Sequence, residues 1–93
     1  METTAVQVTV SGRVQGVAYR WSTVQAAQTC GVAGWVRNRR DGSVEAHLEG
    51  PADAVERLLA WMAVGPAMAR VDAALPVDAA VEGLEGFEVR PTV

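Results

Sequence analysis

The sequence predicts an α+β fold in which two helices lie on one face of a mainly antiparallel sheet. Three observations lead there. Stretches of period-two apolar alternation are interleaved with stretches of helical period. They follow the order strand, helix, strand, strand, helix, strand, with a short extra strand at the end, which is a split βαβ pattern. Asp41-Gly42 sits between the second and third strands and is a strong turn signal, so those two strands pair as a hairpin. The 93 residues fit one domain over 1–93, with no repeat, linker or low-complexity tract.

Each element has a local cause. Val6, Val8 and Val10 alternate with Gln7 and Thr9, as in a half-buried first strand. A loop bracketed by Gly12 and Gly16 follows. A helix is expected from about Tyr19 to Thr29, closed at Gly31 by a left-handed cap. Two apolar faces compete on it: Tyr19, Thr23, Ala26 or Ala27 and Cys30 form one, Trp21 and Val24 the other. Ala33 to Asn38 reads as the second strand around Trp35. Ser43 to Glu49 reads as the third, with Val44, Ala46 and Leu48 facing in and Glu45, His47 and Glu49 facing solvent. Pro51 suits the first position of a second helix, whose stripe is Val55, Leu58, Leu59 and Met62. Gly65-Pro66 stops that helix. A strand over Arg70 to Val77 and a short one with Phe87 and Val89 complete the chain.

Composition narrows the function. Apolar residues make up 49% of the chain and charged residues 20%, which points to a packed chain and away from disorder. Cys30 is the only cysteine, so no intrachain disulfide forms, and it is expected as a small buried hydrophobe. The N-terminus shows no signal-peptide pattern, and the most apolar stretch, Leu58 to Ala69, is too short to span a bilayer. A cytoplasmic monomer without membrane partners is expected. The net charge of −3 conceals an asymmetry. From Thr3 to Arg40 there are five arginines and no acid; from Asp41 to Val93 there are ten acids and three arginines. Such a field attracts a small anion to the first part and repels a long polyanion overall.

The segment Gly12 to Arg20 carries the sharpest chemical signal. A loop entering a helix aims several N–H groups at one point, and the positive end of the helix dipole favours an anion there. Glycine lets such a loop take left-handed backbone angles and approach a ligand closely. Arg20 adds a planar guanidinium that suits phosphate, although a surface arginine paired with an acid is the alternative. Asn38 offers a donor and an acceptor that could orient water beside a phosphoryl group, although an ordinary turn asparagine is common. His47 reads as a solvated histidine. No metal-ligand spacing and no dinucleotide or P-loop fingerprint is present.

Gly12-Arg13-Val14-Gln15-Gly16-Val17-Ala18-Tyr19-Arg20, then Gly34-Trp35-Val36-Arg37-Asn38 and Asp41-Gly42-Ser43-Val44, resemble the acylphosphatase family. The likeness continues through Glu49-Gly50-Pro51, Gly65-Pro66 and Ala69-Arg70-Val71 to Gly86-Phe87-Glu88-Val89-Arg90. It implies a ferredoxin-like sandwich and a small hydrolase that cleaves acyl phosphates to carboxylate and inorganic phosphate, with no metal and no other cofactor. Carried over by position, Arg20 matches the phosphate-binding arginine and Asn38 the asparagine that positions the attacking water. Gln15, Gly16, Val17, Ala18 and Tyr19, with Arg20, match the loop whose amides hold the phosphoryl oxygens. The implied ligands are a small-molecule acyl phosphate, and phosphate or sulfate as product-like anions. Ala18 stands where the family usually has glycine or a larger residue, and Arg39 where threonine or an aliphatic residue is more usual.

Three other readings use the same fold. A non-catalytic module could bind a small phosphorylated ligand or a protein. A single-stranded nucleic-acid binder would need sheet-face aromatics that this chain lacks, so no nucleic-acid partner is expected. A domain of a carbamoyl-phosphate-using maturation protein would bring cysteine-rich segments, which are absent from this sequence.

Overall fold

The computed structural model describes residues 2–93. Strand β1 (Thr3–Arg13) leads through the loop into helix α1 (Tyr19–Cys30), and strands β2 (Ala33–Asn38) and β3 (Val44–Pro51) follow. Helix α2 (Ala52–Met62), strand β4 (Arg70–Asp78) and strand β5 (Phe87–Val89) complete the chain. The sheet order is β4-β1-β3-β2-β5, with antiparallel neighbours except for the parallel pair β2–β5. The expected α+β sandwich is observed.

The core lies between the sheet and the helices. Val8, Val10, Val36, Val44, Ala46 and Leu48 point from the sheet into it, and Val55, Leu58 and Met62 meet them from α2. On α1 the face that packs inward carries Tyr19, Thr23 and Ala27; Trp21 lies outside, 65% exposed. Thr23 is fully buried, and its hydroxyl donates to the Tyr19 carbonyl, 2.8 Å, so the polar group costs little there. The helix ends at Gly31 with φ 75°, as the left-handed cap predicts. Cys30 departs from expectation in being only half-buried, because it sits at the margin of the buried face.

The far side of the sheet overturns one expectation. Glu45, His47 and Glu49 do alternate away from the helices, but all three are buried. For His47 and Glu49 the reason is chain path: β4 and β5 occupy opposite edges, and the connection between them crosses this face; Glu45 is covered instead by the Arg37 and Arg39 side chains. Glu49 anchors the crossing by accepting from the N–H groups of Glu82 and of Leu84, the latter at 3.1 Å. His47 Nε2 lies 2.7 Å from Glu49 Oε2, and its ring stacks on Trp35 with centroids 6.0 Å apart. The guanidinium groups of Arg37 and Arg90 lie 4.6 and 5.0 Å from the centre of the Trp35 ring. His47 is therefore a structural core residue.

A second difference concerns Pro51, which ends β3 opposite Thr3 and stands just before α2. Its ψ of 142° is extended, so it caps the helix from outside the first turn.

Candidate active site

Topology brings the candidate residues to one end of the sheet. Strands β1 and β2 each pair antiparallel with β3, so they run in the same direction and finish at the same end. Strand β5 runs parallel to β2 and finishes there too. The loop that follows β1, the N-terminus of α1, Asn38 and the last residues of the chain therefore converge.

The loop is shaped by three left-handed residues. Gly12 has φ 121°, and a Cβ there would strike the Arg70 carbonyl oxygen, so β1 can bulge and turn only with glycine. Gly16 has φ 73° and Ala18 has φ 61°. Ala18 is the only non-glycine residue with positive φ among those described, and it forms the N-cap of α1 without a side-chain cap. Left-handed residues alternating with right-handed ones turn successive N–H groups toward one concavity. Among the described residues, no N–H from Gly16 to Trp21 donates to a protein acceptor; the first helical bond is Ser22 N–H to the Ala18 carbonyl, 3.0 Å.

All of the residues from Gly16 to Trp21 except Val17 line a cleft of about 250 Å³, together with Val14 and Val89. Arg20 is half-buried there and has no carboxylate within ion-pair distance among the described residues. A cation in the first turn of a helix, with no acid beside it, is electrostatically unfavourable by itself. An anion in the cleft would reverse that balance.

Of the predicted residues, Gln15, Val17 and Asn38 are not among those that line the cleft, and Tyr19 lines it without offering its hydroxyl. Val17 turns its side chain into the core. Tyr19 buries its ring, and its hydroxyl donates to the Met62 carbonyl, 2.7 Å; burial raises the phenol well above its ordinary pKa. Gln15 sends its carboxamide to the β2–β3 hairpin, where Nε2 donates to the carbonyls of Arg39 at 2.7 Å and Ser43 at 2.9 Å. That staple ties the loop to the residue next to Asn38, and the sequence reading assigned no role to the Gln15 side chain.

Asn38 shares the helix-side face of the sheet with Val36 and lies opposite Val44. Its backbone carbonyl accepts from the Val93 N–H at 3.2 Å. Its Oδ1 is buried and has no hydrogen-bond partner among the described residues. A buried amide oxygen without a partner costs roughly 1–3 kcal/mol, so Oδ1 is an acceptor with a strong demand for a donor. On the opposite face Glu45 grips both neighbours: Arg37 Nη2 lies 2.6 Å from Oε1 and Arg39 Nη1 3.0 Å from Oε2. This pair of contacts holds the backbone on either side of Asn38, a role for Glu45 that a strand position facing solvent would not suggest. No group of three or more His, Cys, Asp or Glu side chains among the described residues could hold a metal ion.

Comparison with known proteins gives the chain a family. The family model described as Acylphosphatase matches residues 6–89. "Acylphosphatase 2" of Ralstonia nicotianae is 53% identical over 93 residues, covering 99% of this chain and 98% of that one. An Azoarcus acylphosphatase is 55% identical over 83 residues, covering 89% and 85%. Among solved structures, an acylphosphatase from Coxiella burnetii superposes with a TM-score of 0.91 at 38% identity, covering 95% of this chain and 93% of that one. An acylphosphatase from Bacillus subtilis gives 0.91 at 31%, covering 96% and 99%. With sequence and fold in agreement, the chain belongs to the acylphosphatase family.

Proposed function

We propose that this protein hydrolyses acyl phosphates to a carboxylate and inorganic phosphate, with Arg20 and the amides of residues 15–20 holding the phosphoryl group and Asn38 presenting the water. The observation that carries the reading is a pairing at one end of the sheet. Among the described residues, free N–H groups of the loop and an Arg20 with no acid partner belong to residues lining a cleft, and Asn38, which ends its strand at the same end of the sheet, carries a buried carboxamide oxygen that lacks a donor.

The chemistry asks little else of the protein. A water O–H donates to Asn38 Oδ1, which leaves an oxygen lone pair directed at phosphorus. The new O–P bond forms as the P–O bond to the acyl group breaks, and the carboxylate leaves with the bonding pair. The water's proton passes to the phosphate product. A carboxylate is a stable leaving group and needs no general acid, so rate comes from positioning and from charge stabilisation on the phosphoryl oxygens. The guanidinium and the loop amides supply that stabilisation, which gives the reaction no step that depends on a metal.

The test is hydrolysis of acetyl phosphate by purified protein in excess chelator, with phosphate or sulfate binding measured alongside. The wild type should turn over. Arg20→Ala should lose both binding and turnover. Asn38→Ala should bind phosphate and lose about 10²–10³-fold in turnover, the scale of one misplaced transition-state contact. Phosphate binding with no turnover by the wild type, or full activity in Asn38→Ala, would overturn the mechanism.

A further inference from the structure

Trp21 has two cavities against it. On one side is the cleft that holds Arg20; on the other, a groove of about 510 Å³ runs along the outer surface of the helix layer. Gln25, Ala26 and Cys30 of α1 and Trp61 of α2 line it, and none of its lining residues is charged. Trp21 is 65% exposed and holds an indole at the surface that the core does not use.

We propose that this groove receives the acyl group of the substrate and that it selects uncharged, apolar acyl phosphates; the inference rests on the hydrolase reading above. In-line displacement sets the leaving group opposite the attacking water. Asn38 is on the sheet, beneath the helix layer, so the water approaches from the interior side. The carboxylate must then leave toward the outer surface, where Trp21 stands at the N-terminus of α1. The groove begins at Trp21 and continues along the same helix. An acyl chain emerging from the cleft would lie against the two indoles and the Ala26 and Cys30 side chains. A carboxylated or cationic acyl group would find no counter-charge there and would lose hydration without compensation.

The experiment compares kcat/KM for acetyl, butyryl and hexanoyl phosphates. Burying each methylene should raise kcat/KM by about two- to fourfold until the groove is filled, mostly through KM. Two variants then address the groove. Ala26→Leu fills its floor, and Gln25→Glu, at an exposed position, sets a charge on its wall. Each should lower the hexanoyl-to-acetyl ratio about tenfold, and reading the ratio cancels any change in folded fraction or in charge near the phosphate. Acetyl phosphate turnover with no rise along the series, or an unaltered ratio in both variants, would overturn the groove assignment and leave the hydrolase reading standing. A concentration-dependent dimer whose formation Ala26→Leu abolishes, together with a flat chain-length series, would assign the groove to a second copy instead. Failure to hydrolyse any of the three would remove both.

Discussion

Gln15 shows how far a residue's part can differ from its position in a motif. It stands in the loop, but its carboxamide spans outward to two carbonyls of the β2–β3 hairpin. Removing both donors with Gln15→Met should let the loop and Asn38 drift apart. A displacement of about 1 Å at a reacting centre can cost a hundredfold in rate, so turnover should fall at least tenfold while phosphate inhibition changes less. Equal losses in both would mean that the loop itself had collapsed. In the proposed mechanism Arg20 acts through shape as well as charge. Arg20→Lys keeps the charge and loses the planar fork; a hundredfold loss in kcat/KM is expected, and steady-state assays with acetyl phosphate will measure it. Neither role can be read from residue type alone, since glutamine and arginine are ordinary surface residues until their partners are known.

The loop and its helix form the element on which the site depends. A left-handed Ala18 at a helix start is strained by its Cβ, and a β-branched residue is far worse there. Ala18→Val should destabilise the fold by roughly 1–3 kcal/mol. By the usual scaling that lowers the melting temperature by several degrees in a chain of this size, which thermal unfolding would record. The bounds of α1 to within a residue, the Gly31 cap and the hairpin turn were legible in the sequence, because each depends on a few adjacent residues. At the turn, Asp41 accepts from the Ser43 hydroxyl at 2.6 Å and the Ser43 N–H at 2.9 Å, and these bonds hold its carboxyl below the ordinary range. The face of α1 was ambiguous for a physical reason: alanines, threonine and tryptophan give no sharp stripe, and packing against α2 and the sheet chose Tyr19, Thr23 and Ala27.

At the scale of the whole molecule, the crossing from β4 to β5 covers the second face of the sheet over His47 and Glu49. Burial works against the Glu49 charge, but the Glu82 N–H, the His47 ring and the Leu84 N–H outweigh it and lower the carboxyl pKa. A carboxylate with a lowered pKa stabilises the fold fully above its unfolded value, near pH 4–5. The contribution is lost as pH falls through the folded value. The melting temperature should therefore drop below about pH 5 in the wild type. In Glu49→Gln it should be lower at neutral pH and its acid dependence shallower; parallel pH profiles would remove Glu49 from the account. The sequence by itself determined what neighbouring residues decide: the order of elements, the alternation of β3, the loop entering α1 and the family it resembles. Only the tertiary structure decided which alternating face became buried, where the Gln15 amide reaches and that Asn38 Oδ1 lacks a donor among the described residues. Those outcomes depend on contacts between residues far apart in the chain, and local periodicity carries no record of which segment will later cross a given face.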